Sequence, residues 1–210
     1  NYRAQQVDLS AKWKASFVQV AHGGKRPIKD NWQHNPLDAR QIKAVPGNVG
    51  ALMGKYSNNI VCIDLDERAQ DFFAMFPQLQ ETLIVWRSNA IGRAKVFIQI
   101  TDRLPRSTHW KRTPDQQSPS AELLSTGHQA VIIGIHETGA VIRNNGKSPI
   151  KMTFAELSAM WRTWTSQELR DPTRTINTAK TRQARQQKAI QAGTSENPHA
   201  NEIKQYWNCI

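Results

Sequence analysis

The stretch Asn58–Gln70, NNIVCIDLDERAQ, constrains the fold of this chain more than any other. From Ile60 to Ile63 it is apolar and rich in β-branched residues, as in a strand buried on both faces. Yet Asp64 sits between Ile63 and Leu65, and Asp66 follows two places on. Side chains at i and i+2 of a strand project to the same side. The two carboxylates are therefore expected to leave one face together, at the end of a strand and just before the helix predicted over 67–76. Like charges that close repel, and each raises the other's pKa unless a cation neutralises them. A divalent metal does so, and hard oxygen donors favour magnesium or manganese over zinc. The alternative is a solvated pair in which Asp66 caps the following helix. That suits Asp66 better than Asp64, which stands between two apolar neighbours.

The flanking sequence supplies partners for this strand. ASFVQVA (15–21), NVGALMG (48–54), LIVWRS (83–88), AKVFIQI (94–100), AELLS (121–125), QAVIIG (129–134) and AVIRN (140–144) all read as strands. Asp38 is placed to cap a short helix over ARQIKAV. GGKRPIKDNWQHNP (23–36) reads as loop, and so does the polar, Pro-containing segment 101–119. At Thr153 an apolar stripe begins behind a capping box formed with Glu156. The segment after Pro172 is too polar and basic for a core of its own, and NEIKQYW reads as a last short helix that docks through Tyr206 and Trp207. The expected fold class is α+β: a mixed, mostly antiparallel sheet with a C-terminal α-helical tail. The expected organisation is a catalytic domain over 1–152 and a basic helical extension over 153–210.

A third carboxylate is wanted for two-metal phosphoryl chemistry, in which two ions about 4 Å apart serve the attacking and leaving oxygens. Glu122, in the short strand AELLS, is the first choice. Asp115, in the polar loop, is the second. Net charge adds a partner. Lys and Arg number 28 against 17 Asp and Glu, a net of +11, with +7 in residues 1–160 and +4 in 161–210. A basic excess spread over the chain favours a polyanion, most often nucleic acid. Cys62 falls within the apolar run and reads as a buried thiol. Only Cys209 accompanies it, too few for a zinc site of four cysteines. No apolar run reaches the length of a membrane span, and a cytoplasmic setting is expected.

Several motifs, in their order and spacing, resemble the catalytic domain of the archaeo-eukaryotic primase superfamily, in the primase–polymerase branch of plasmids, phages and other mobile elements. They are GKRPIKDNW (24–32), NVGALMG (48–54), VCIDLD (61–66) and GHQAVIIGIHETG (127–139). The resemblance implies a sheet of that superfamily's type. It also implies an enzyme that joins nucleoside triphosphates on a single-stranded DNA template, with or without a primer. Asp64, Asp66 and Glu122 would hold Mg²⁺ or Mn²⁺. The family's Ser-x-His motif aligns with GRAKVF (92–97), so Lys95 stands at the histidine position and still offers a cationic donor to phosphate. Arg93, His136, His128 and Lys25 are the other candidate nucleotide contacts, with Lys29 near the last.

Arg103, Arg106, Lys111 and Arg112 around Trp110, and Arg182 and Arg185 with Arg174, Lys180 and Lys188 in the tail, suit a single strand: charges on phosphates, a ring on a base. The other readings are a mobile loop and a solvated linker. A helicase domain or protein is a further expected partner. Two other functions fit the residues: a metal-dependent nuclease, and a non-catalytic DNA-binding module for replication initiation. The Leu-Leu after Glu122 departs from the Glu-x-Lys of one common nuclease type.

Overall fold

The computed structural model describes residues 7–8 and 10–170. Among the described residues the elements with defined bounds are, in chain order, β1 (Phe17–Val20), α1 (Ala39–Ala44), β2 (Asn48–Leu52), β3 (Ile60–Leu65), α2 (Ala69–Met75), β4 (Leu83–Arg87), β5 (Ala94–Ile100), β6 (Thr108–Trp110), β7 (Ala121–Leu124), β8 (Gln129–Ile135), β9 (Val141–Asn144), β10 (Ile150–Met152) and α3 (Phe154–Thr165). Nine strands form one path, β1-β2-β8-β9-β4-β5-β3-β7-β6, and β10 joins β5. Every pairing along the path is antiparallel; β10 runs parallel to β5. The mixed, mostly antiparallel α+β class expected from sequence is the one observed.

The faces of β3 pack into two different cores. Val61, Ile63 and Leu65 join Val96, Ile98 and Leu123 against Phe72 and Phe76 of the α2 segment and Phe154, Leu157 and Trp161 of α3. Cys62 on the other face joins Phe97, Leu83 and Val85 in a core shared with β1, β2 and β8. Each such side chain, fully buried, contributes roughly 1.5–3 kcal/mol. The second core stops at Cys62, so the same face continues toward Asp64 and Asp66 without cover from β1 and β2.

Helix α3 starts as its sequence dictates. Thr153 Oγ1 accepts from Glu156 N at 3.2 Å, and Thr153 N donates to Glu156 Oε2 at 2.7 Å. Asp102 Oδ1 accepts from Phe154 N at 2.7 Å, satisfying another orphan donor of the first turn. Asp38 and Gln41 make the corresponding box on α1. Helix α3 shares a core with β3 and β5, and the chain up to Arg170 forms one compact unit.

Two strands are not among those read from the sequence, one within the segment read as loop, 101–119, and one just before Thr153. Thr108–Trp110 pairs with β7, and Ile150–Met152 pairs with β5. Each has three residues, too few for alternation to register; pairing to a formed neighbour holds them. The expected helix after Pro172 and the helix NEIKQYW lie outside the described residues. Among the described residues no helix is long and apolar enough to cross a membrane.

Candidate active site

Register sets the site. Asp64 pairs with Lys95 on β5 and with Glu122 on β7; Lys95 pairs onward with Val85, and Glu122 with His109. Directly opposed residues share a face, so Lys95, Asp64, Glu122 and His109 form a row across four strands. One pleat further along, Arg93 Nη1 lies 3.3 Å from Asp66 Oδ1. Lys95 Nζ donates to Asp64 Oδ2. Asp66 does not cap the next helix: the N-cap of α2 is Arg68, in a left-handed conformation, and no side chain caps the helix.

The electrostatics follow from this crowding. Burial raises the pKa of Glu122, and the charges of Asp64 and Asp66 raise it further. Asp66 is raised by burial and then by Asp64, although Lys95 and Arg93 oppose the shift. Burial works against the charge on Lys95, but Asp64 and its hydrogen bond more than compensate, so its pKa rises. Burial likewise drives the Cys62 thiol upward and leaves it protonated and inert.

The cleft above this row is lined also by Gly24, Lys25, Trp86, Arg87, His128, Gln129 and His136. Sequence reasoning brought Lys25, His128 and His136 to this site, and the structure gathers them with the carboxylates. It did not find Arg87, whose Nη1 donates to His136 Nε2 at 2.7 Å. The signal was the alternation in LIVWRS, which places Arg87 on the face of Leu83 and Val85. Because a guanidinium only donates, Nε2 of His136 is the acceptor from Arg87; Nδ1 lies 3.0 Å from Thr138 Oγ1 and 3.3 Å from Thr138 N. Burial, Arg87 and then Lys25 lower the His136 pKa and keep the ring neutral.

Buried Asn48 was missed too. Its side chain accepts from Ile135 N at 2.9 Å and donates to Ile135 O at 2.8 Å and Gly24 O at 3.2 Å. It thereby ties the start of the glycine loop to the turn that carries His136. The adjoining Gly134 has φ +135°, and a Cβ there would meet the Asn48 side chain at 2.0 Å, so only glycine fits. Gln129 Nε2 donates to Lys25 O at 2.8 Å and fixes the loop from below.

The proposed nucleic-acid residues are more dispersed. Arg103 stacks over the Phe154 ring at 4.7 Å. Trp110 packs into the helix-side core, its ring 6.2 Å from that of Trp164, which turns it inward. Arg106 is exposed, Lys111 is half-buried, and Arg112 faces Glu67 at 3.8 Å. Asp115 and Lys29 are exposed and do not line the cleft. Arg182 and Arg185, with Arg174, Lys180 and Lys188, lie outside the described residues.

Asp64, Asp66 and Glu122 supply hard oxygen donors whose mutual repulsion calls for a cation, so the donor chemistry fits Mg²⁺ or Mn²⁺. Asp64 is paired with Lys95, and Asp66 with Arg93. Among the described residues no three His, Cys, Asp or Glu side chains are already gathered for a metal.

Residues 9–151 match the family described as bifunctional DNA primase/polymerase, N-terminal. The chain belongs to this family. The match runs from before β1 to within β10 and takes in the whole carboxylate row and every described residue that lines the cleft. A comparison with curated proteins gives no match. The protein is a primase/polymerase, a nucleotidyltransferase of DNA replication, as its family membership states and as the sequence motifs led us to expect.

Proposed function

We propose that the cleft carries out DNA-templated nucleotidyl transfer by two-metal chemistry, with Asp64, Asp66 and Glu122 as the metal ligands. The observation that carries this reading is the register row in which Asp64 is opposed by Glu122 on one side and Lys95 on the other. It sets three carboxylates and the cations Lys95 and Arg93 on one open face.

In the reaction, the 3′-oxygen of a primer or of a first nucleotide attacks the α-phosphorus of a nucleoside triphosphate. The new O–P bond forms as the bond to the β-phosphate oxygen breaks; pyrophosphate leaves and the hydroxyl proton is lost. When bound, the metal ions supply Lewis-acid stabilisation to the attacking and leaving oxygens. Lys95 and Arg93 neutralise triphosphate charge from the adjacent strand, and Lys25 and Arg87 do so from the cleft wall. Neutral His136 orients Arg87 through Nε2 and takes no proton. His128, hydrogen-bonded through Nδ1 to Ser107 at 2.9 Å, stands at the other end of the wall.

The template in this reading is single-stranded DNA, drawn by the net positive charge and by exposed Arg106 beside β6. The tail arginines would extend that contact. A cytoplasmic setting, a mobile-element origin and a helicase partner complete the proposal.

One assay separates this reading from its rivals. The protein is incubated with Mn²⁺ or Mg²⁺, a single-stranded template and labelled nucleotides, with and without primer. Extended or de novo product is expected. Shortening of the template strand would instead mark a nuclease, and DNA binding with neither outcome would mark a non-catalytic module.

A further inference from the structure

Lys95 is half-buried, opposite Asp64 in register, and its ammonium is bonded to the very carboxylate expected to hold metal. Arg93 does the same for Asp66. The three carboxylates thus meet two fixed positive charges before any other ion arrives. A dication added to that set meets one net negative charge, whereas without Lys95 it would meet two. Lys95 is also the tighter of the two internal cations: its side chain is 27 % exposed against 45 % for Arg93, so solvent screens it less. Asp64, at 18 %, has little room to satisfy Lys95 and a metal at once.

We propose that Lys95 is a built-in counter-ion of the carboxylate row that competes with divalent metal for Asp64 and sets the metal affinity of the nucleotide-free cleft. The inference rests on the reading of Asp64 as a metal ligand. It makes Lys95 a regulator of metal occupancy as well as a phosphate contact. A neutral residue of similar length at this position frees Asp64 for metal, and a second cation of similar reach does not.

The test is Mn²⁺ titration of the full chain, without nucleotide or DNA, followed by the electron paramagnetic resonance of free Mn²⁺. Lys95→Met is expected to bind Mn²⁺ at least tenfold more tightly than wild type. Lys95→Gln, which keeps a polar head, is expected to follow it and serves if the methionine variant does not fold. Lys95→Arg is expected to stay near wild type. Adding Asp64→Asn to Lys95→Met should remove the gain. Equal or weaker binding by both neutral variants overturns the proposal, as does an arginine variant that binds as tightly as the neutral ones. The two layers fail differently. If Asp64→Asn weakens Mn²⁺ binding while the neutral variants match wild type, the metal site stands and the role of Lys95 falls. If Asp64→Asn changes nothing in either background, the metal-site reading itself falls.

Discussion

The two faces of β3 carry opposite burdens. Ile63 and Leu65 are sealed beneath α2 and α3, while Asp64 and Asp66, on the intervening positions, look into a cleft. The same backbone serves both, because alternation separates them completely. The difference teaches that rigidity and chemistry are divided by side of the sheet rather than by region of the chain. The apolar face fixes the strand, and the fixed strand aims carboxylates that would otherwise repel one another apart. Cys62 marks the boundary on the cleft side: below it the face is core, above it the face is site.

This division can be broken by substitutions on either face. The largest effect is expected from Asp64→Ala. Loss of this proposed metal ligand should lower nucleotide incorporation by about three orders of magnitude or more, equivalent to several kcal/mol of transition-state stabilisation. The thermal midpoint should stay near wild type and DNA affinity should be largely kept. A large fall in the midpoint would show that the cleft face bears structural load. The neighbouring change, Ile63→Ala, should do the reverse. Truncating a fully buried side chain is expected to cost about 2–5 kcal/mol in denaturant unfolding. Incorporation by the fraction still folded should remain close to wild type.

The smallest effect sharpens the electrostatic side of the comparison. Glu122→Gln should raise the thermal midpoint of the metal-free protein at neutral pH by a few degrees, about 1 kcal/mol or less, while abolishing incorporation. The sign follows from the raised pKa of Glu122. A carboxyl whose folded pKa lies above its unfolded value favours folding at low pH, and that contribution is lost as pH rises through the folded pKa. The advantage of glutamine should therefore open as pH climbs out of the ordinary carboxylate range, and close again below it. Melting curves across pH 3–8 check this; an advantage that is independent of pH would assign it to packing instead.

Much of this was legible in the sequence because the strands that build the site are amphipathic. IVCIDLD and AELLS each announce a polar residue on an apolar strand, and only their pairing remained to be found. Asp64 and Glu122 proved to be directly opposed. The capping boxes of α1 and α3 were readable for a similar reason, since their partners lie three residues apart. What escaped was non-local. Asn48 matters through Gly24 and Ile135, far apart in the chain. Arg87 matters through His136. Trp110, an aromatic among basic residues, reads as a base-stacking platform or as part of a mobile loop, whereas its ring packs inward beside Trp164. Strands β6 and β10 were invisible because three polar-flanked residues carry no period of their own.

The most direct test of the central claim is the anomalous scattering of Mn²⁺ in crystals grown with a non-hydrolysable nucleoside triphosphate. The account predicts Mn²⁺ peaks in contact with Asp64, Asp66 and Glu122, with the triphosphate directed toward Lys95 and Arg93. Peaks elsewhere on the protein, or a triphosphate bound with all three carboxylates free of metal, would contradict it.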